Sequence, residues 1–164
     1  MEKYTCLLVE DDAIAIDMMK DYIDRTAELV LIGIAIELAD VRSLARNPMP
    51  TIIFLDLIIP PGETKGFHLG ELPESSYYVI ISGIPLNLYK GPLPKGRLYE
   101  LNKPISYEGF SKCVETILKE LKLENCESTD TAWLFSFKDS KVFNNYSDGF
   151  KQMHFNQWAA RHPS

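Results

Sequence analysis

Asp56 ends the apolar run Thr51–Leu55, and Glu10 and Asp11 end another, Thr5–Val9. If both runs are buried strands, three carboxylates reach the same edge of one sheet. Clustered carboxylates repel one another and raise one another's pKa, so the arrangement is costly unless a cation cancels the charge. A hard divalent ion such as Mg²⁺ does so with oxygen ligands, taking one or two protein carboxylates together with phosphate oxygens. Two later positions extend the set. Tyr77–Ile81 is a third apolar run, followed by Ser82 and Gly83, and Arg97–Asn102 leads into Lys103 and Pro104. A hydroxyl and an ammonium thus join three acids where open α/β sheets bind ligands, at the carboxyl ends of parallel strands. The chemistry suggested is that of phosphate.

The elements that must position these groups alternate. Strands are expected at about 4–10, 29–36, 51–56, 77–82 and 98–102, and continuous apolar runs fit a parallel sheet covered on both faces. A helix at about 13–26, capped by Asp12, carries Ile14, Met18, Met19, Tyr22 and Ile23. A second runs from about Leu38 to Arg46, and a short third lies near Phe67–Leu72, between Gly66 and Pro73. Between the last two strands, prolines at 85, 92 and 94 and glycines at 91 and 96 exclude a regular long helix. Phe110, Cys113, Val114, Ile117, Leu118 and Leu121 form one apolar stripe of a final helix, with Ser106 as its N-cap.

The motifs Val9-Glu10-Asp11-Asp12, Leu55-Asp56-Leu57, Ile81-Ser82-Gly83 and Asn102-Lys103-Pro104-Ile105-Ser106 follow one another in an order and spacing that resembles the receiver (response-regulator) domains of bacterial two-component signalling. The resemblance covers roughly residues 3 to 123. It implies a doubly wound α/β fold with a five-stranded parallel sheet, flavodoxin-like, in the order 2-1-3-4-5, here with an irregular fourth helix. It also implies that Asp56 accepts a phosphoryl group from a sensor histidine kinase or a phosphotransfer protein. Asp11 would bind Mg²⁺ directly, Glu10 through water, and Asp56 and the backbone carbonyl of Ile58 would complete the protein's share. Lys103 would pair with the phosphoryl oxygens, Ser82 would bond one of them only in the modified state, and Pro104 would follow a cis peptide.

Two features depart from that family. Its fifth strand usually carries an aromatic residue three positions before the lysine; here Glu100 stands there and Tyr99 comes one residue earlier. Because strand residues alternate faces, Tyr99 is expected on the opposite side unless a bulge corrects the phase. The segment 85–96 is the second departure, and with the lengthened loop after Asp56 it alters the surfaces around the pocket.

The domain organisation expected is a receiver at 1–123, a polar linker at 124–130 and an aromatic-rich tail at 131–164. In the tail, Trp133, Phe135 and Phe137 alternate ahead of Lys138 and Asp139, as in a hairpin. This resembles the opening of a LytTR-type DNA-binding domain that is not complete in the chain; an aromatic segment packing on the receiver or on a second chain is the alternative. DNA would be reached only through such an effector.

A net charge of −6 over 164 residues argues against a general nucleic-acid binder. No apolar run approaches the roughly 20 residues of a membrane span, and the expectation is a cytoplasmic protein. Cys6, Cys113 and Cys126 form no metal or disulfide pattern, and His68 has no second ligand spaced near it. The functional expectation is Mg²⁺-dependent phosphoryl acceptance, self-catalysed with slow autodephosphorylation and no other enzymatic activity. A homodimer is left open. The rival readings are a pseudo-receiver that binds a partner without phosphorylation and a small haloacid-dehalogenase-like phosphatase. The latter wants an acid two residues after its nucleophile, where this chain has Ile58.

Overall fold

The computed structural model describes residues 2–46, 48–60 and 68–138, with side chains to Asn125. Two compact units divide the chain, Met1–Ile117 and Leu118–Ser164. The first is built on five parallel strands, β1 (Tyr4–Val9), β2 (Leu29–Ala35), β3 (Ile52–Asp56), β4 (Tyr77–Ser82) and β5 (Arg97–Asn102), in the order β2-β1-β3-β4-β5. This is the expected doubly wound sheet, and every strand boundary lies within a residue of its expected place.

β3 and β4 are buried at every position. Their side chains alternate between two apolar layers, which explains why the runs lack polar alternation. On one face Leu7, Val9, Ile53, Leu55, Tyr78 and Ile80 meet Leu38 and Val41 of the helix α2 (Leu38–Leu44). On the other, Phe54 stacks on Phe110 at 5.4 Å between ring centroids. Tyr22, of the helix α1 (Ala13–Asp24), reaches the same Phe110 ring at 5.5 Å. Each fully buried side chain of this size contributes about 1.5–3 kcal/mol by leaving water. The strand ends that carry the polar groups are therefore among the most firmly held backbone.

α1 begins as expected, with the Asp12 carboxylate accepting from the amides of Ile14 and Ala15. Its apolar face differs from the expected one. Ile14 is 81% exposed, and Met19 and Ile23 are the buried residues. Ile14 precedes Met19 by five positions, which turns it about 140° away at 100° per residue.

The expected third helix reduces to one 3₁₀ turn, Leu69–Glu71. Gly70 within it and Pro73 just after it do not support a longer one; Phe67 lies outside the described residues. Between β4 and β5 the chain forms one further 3₁₀ turn, Leu86–Leu88, and is otherwise irregular, as its prolines and glycines require. Leu86, Tyr89 and Leu93 pack against the layer containing Tyr78 and Ile80, covering the sheet where a helix would otherwise lie.

The last helix, α3, runs from Tyr107 to Lys138. Ser106 caps it by accepting from Gly109 N–H at 3.1 Å. The linker expected at 124–130 and the hairpin expected around Trp133–Phe137 are instead helical backbone. The polar run from Glu124 to Asp130 is hydrophilic without being helix-breaking, since neither proline nor glycine occurs between Gly109 and Gly149. The rest of the aromatic tail, 139–164, lies outside the described residues. Among the described residues no helix is long and apolar enough to cross a membrane.

Candidate functional site at the carboxyl edge of the sheet

The strand order reverses between β1 and β3, which makes the crevice between their carboxyl ends the switch point of the sheet. Val9 pairs with Leu55, so Glu10, just past β1, and Asp56, the last residue of β3, lie at the same level. Ser82 pairs with Asn102, which places Lys103 one step beyond the hydroxyl. The amide of Lys103 donates to the Ser82 carbonyl at 2.8 Å, joining β4 and β5 at the edge. The Lys103–Pro104 peptide is cis, as the resemblance implied.

Oxygen atoms of Glu10, Asp11 and Asp56 lie within 4.8 Å of one another. Glu10 is fully buried, Asp56 nearly so, and Asp11 is exposed. The ammonium of Lys103 bridges the two buried acids, donating to Asp56 Oδ2 at 2.7 Å and Glu10 Oε2 at 3.1 Å. The second oxygen of each acid accepts a backbone amide: Asp56 Oδ1 from Ile58 at 2.9 Å and Glu10 Oε1 from Asp12 at 3.2 Å. No buried side-chain polar atom among the described residues lacks a partner.

The electrostatics follow from this packing. Burial pushes the Glu10 carboxyl above its ordinary value, against the lowering pull of the Asp12 amide and Lys103, while the Asp56 charge adds to the rise. For Lys103, burial opposes the charged form, but the hydrogen bonds and charges of Asp56 and Glu10 outweigh it and hold the ammonium above its ordinary value. The cluster thus holds two buried carboxylates on a single ammonium, with a third acid at the solvent edge. Its oxygen-only donor set and surplus negative charge suit a hard divalent cation better than a thiophilic metal.

Ser82 is buried, and its hydroxyl oxygen accepts from Ile84 N–H at 3.0 Å. The structure therefore gathers Glu10, Asp11, Asp56, Ser82 and Lys103 on one edge. Ile58 lends its amide to Asp56 and exposes its side chain. His68 is exposed outside this cluster. Cys6 and Cys113 are held as thiols by burial, pushed up to about 12 and about 11.

β4 and β5 pair without a bulge from Tyr77–Arg97 to Ser82–Asn102. Tyr99 accordingly keeps the phase expected of it: its ring stacks with Tyr77 at 6.1 Å, and Glu100 takes the other face. There the Glu100 carboxylate accepts from Leu86 N–H at 2.9 Å. Sequence reasoning noted Glu100 only as a misplaced residue. Its position opposite a proline-started turn, whose first N–H needs an acceptor, was the available signal.

No protein-family model matches the chain. A curated relative, the transcriptional regulatory protein CitB of Klebsiella pneumoniae, is 28% identical over 120 residues, covering 70% of this chain. The chain spans about half the length of that relative. Among solved structures, the response regulator domain of Thermotoga maritima CheB aligns with a TM-score of 0.53 at 20% identity, over 76% of this chain and 98% of that one. CheY in the CheX-CheY-BeF3-Mg+2 complex of Borrelia burgdorferi scores 0.59 at 18% identity, over 71% and 90%. The response regulator PhyR of Brucella abortus scores 0.59 at 14%, over 77% and 52%. The chain is thus similar in sequence to a transcriptional regulator and shares the fold of solved receiver domains of otherwise divergent sequence.

Proposed function

We propose that the domain is a phosphorylatable switch in which Asp56 accepts a phosphoryl group from a phosphohistidine on a sensor histidine kinase or phosphotransfer protein. The observation that carries this reading is the Lys103 ammonium held between Asp56 and Glu10 in a cluster of three acids. A carboxylate oxygen of Asp56 forms the new O–P bond while the N–P bond of the donor breaks. The imidazole nitrogen leaves with that electron pair and takes up a proton. The product is an aspartyl phosphate, an intermediate that carboxylates form readily.

Asp11, Glu10, Asp56 and the carbonyl of Ile58 are the groups that would hold Mg²⁺, which when bound would neutralise charge on the transferred oxygens. Lys103 pairs with the anionic oxygens as a point charge. Buried Ser82 offers a hydroxyl that distinguishes modified from unmodified aspartate, the differential interaction a two-state switch requires. Water later hydrolyses the acyl phosphate, so transfer and slow loss are self-catalysed. The domain's output passes to a protein partner or to an attached effector.

Treatment with Mg²⁺ and a small phosphoryl donor tests the reading. Intact-mass analysis is expected to show one phosphoryl adduct on the wild type and none on Asp56→Asn. An adduct that persists in Asp56→Asn would remove Asp56 from its role. A wild type that takes no phosphoryl group would favour the second reading, an interaction module that binds its partner without phosphorylation. That reading draws on the irregular 85–96 segment, which gives this domain a surface unlike a regular helix.

A further inference from the structure

Ser82 and Lys103 are linked by a closed ring of hydrogen bonds and short stretches of chain. The Ser82 hydroxyl oxygen accepts from Ile84 N–H at 3.0 Å. Pro85 follows, with φ −54° and ψ 136°, and its ring fixes φ and removes a donor. Leu86 N–H then reaches across to Glu100 Oε1 at 2.9 Å. From Glu100 the strand β5 continues through Leu101 and Asn102 to Lys103, whose amide returns to the Ser82 carbonyl at 2.8 Å. Both residues that would touch a phosphoryl group therefore belong to one small frame.

The tie at Glu100 controls how that frame can move. Gly83, Ile84 and Pro85 are exposed, and a Cβ added at Gly83 would meet nothing within 4 Å. Packing therefore does little to restrain the segment between Ser82 and Leu86. Its holds outside its own turn are the Ser82 hydroxyl at one end and the Glu100 carboxylate at the other; the Pro85 carbonyl accepts from Leu88 N–H at 2.9 Å within the turn that follows. A Ser82 hydroxyl that turns toward a phosphoryl group must give up Ile84 N–H or draw Ile84 with it. Because Pro85 is stiff, drawing Ile84 also pulls on Leu86 and on its bond to Glu100.

We propose that Glu100 is a positioning residue for the switch: by holding Leu86 N–H it restrains inward movement of the Ser82 segment and so weakens binding of a phosphoryl group or its mimic at Asp56. The inference rests on the phosphoacceptor reading of Asp56. An interaction made in one conformation and lost in the other shifts the equilibrium by its own strength. A net hydrogen bond of ordinary strength corresponds to roughly two- to tenfold in affinity.

Beryllofluoride with Mg²⁺ is the probe, titrated into the wild type, Glu100→Ala, Glu100→Gln, Ser82→Ala, the Ser82→Ala/Glu100→Ala double variant and Asp56→Asn. Glu100→Ala is expected to bind about two- to tenfold more tightly than the wild type, with faster amide exchange at Leu86. Glu100→Gln keeps an acceptor and is expected to behave as the wild type in both readouts. In the Ser82→Ala background the effect of Glu100→Ala is expected to vanish, because no hydroxyl remains to pull the segment. Unchanged or weaker binding by Glu100→Ala, failure of Gln to restore wild-type behaviour, or a gain that persists without the Ser82 hydroxyl would each overturn the proposal. Failure of the wild type to bind the probe, or equal binding by Asp56→Asn, would instead overturn the phosphoacceptor reading on which it stands.

Discussion

Replacing Lys103 by Met keeps a long side chain and removes the ammonium that bridges Asp56 and Glu10. Both acids are nearly inaccessible, with side chains 8% and 1% exposed, while that of Lys103 is 33% exposed. Removing one partner from a fully buried ion pair costs about 3–5 kcal/mol, because the remaining charge stays buried. Solvent reaches a third of the lysine, so screening reduces the expected loss at pH 7 to about 2–3 kcal/mol. For a chain of this length that lowers Tm by about 4–12 °C. The pH dependence carries the sharper test. Glu10 already titrates above its ordinary value of 4.5 in the folded protein, and loss of Lys103 raises it further. As pH falls toward 4.5, Glu10 of the folded variant takes up its proton before Glu10 of the folded wild type does, so the variant's deficit shrinks across the window between the two raised values. Each pH unit within that window returns up to about 1.4 kcal/mol. At the alkaline end, Lys103 is raised above 10.5, so its contribution is whole below that value and is lost as pH rises through the raised one. Urea unfolding of both proteins at pH 7 and pH 5 measures the difference. A loss below about 0.5 kcal/mol at pH 7, or a loss that does not shrink as pH falls toward 4.5, would refute the view that the bridge compensates buried charge.

Mg²⁺ is expected to bind the unmodified protein weakly, and Asp11→Ala to weaken binding more than Glu10→Ala, since direct coordination outweighs contact through water; equal affinity of wild type and Asp11→Ala in a titration would sink that assignment. Gly96→Ala is expected to destabilise by about 1–3 kcal/mol, because a Cβ there runs into the Ser76 carbonyl oxygen and the Tyr78 ring; chemical denaturation reads it, and an unchanged midpoint counts against the close approach at the start of β5. Amide exchange with and without beryllofluoride is expected to change most within 85–96; a segment whose protection ignores the ligand would exclude it as the element that responds to the site.

β1, β3 and β4 were legible because burial on both faces leaves a signature that little else produces, short continuous apolar runs ended by polar residues, whereas the largely exposed edge strand β5 was legible from the Asn102-Lys103-Pro104 that ends it. Those ending residues were also the chemistry, so finding β1, β3, β4 and β5 located Glu10, Asp11, Asp56, Ser82 and Lys103 at once. The caps at Asp12 and Ser106 were equally plain, since each side chain answers an orphan amide of the first helical turn. The orientation of α1 was less so. Ile14 is apolar and close in sequence to the stripe, and only the angular position of Met19 and Ile23 shows that it faces water. The extent of α3 was misjudged because polarity was taken as a stop signal. Polar residues without proline or glycine carry little penalty against helix, and many of those from Glu124 to Asp130 are compatible with one. Glu100 was hidden for another reason: its role depends on a backbone amide fourteen residues away, and no periodicity encodes such a partner.

The chemistry and the responding element are held by different physics. The acids sit at the ends of β1 and β3, whose register is set by buried apolar pairs, and Lys103 follows the edge strand β5, tied by its amide to Ser82 of buried β4. The segment after Ser82 is held partly by packing of Leu86, Tyr89 and Leu93, and at its entry by single hydrogen bonds to Ser82 and Glu100. A single such bond contributes about 0.5–1.5 kcal/mol net. A buried core side chain contributes about 1.5–3 kcal/mol, and β1, β3 and β4 each carry several. A ligand at Asp56 can therefore repay the smaller cost and move the segment, while the sheet beneath stays in place. On the phosphoacceptor reading proposed above, an irregular segment in place of a fourth helix leaves the acids and Lys103 where they are and lowers the energy separating two positions of the surface that a partner would read.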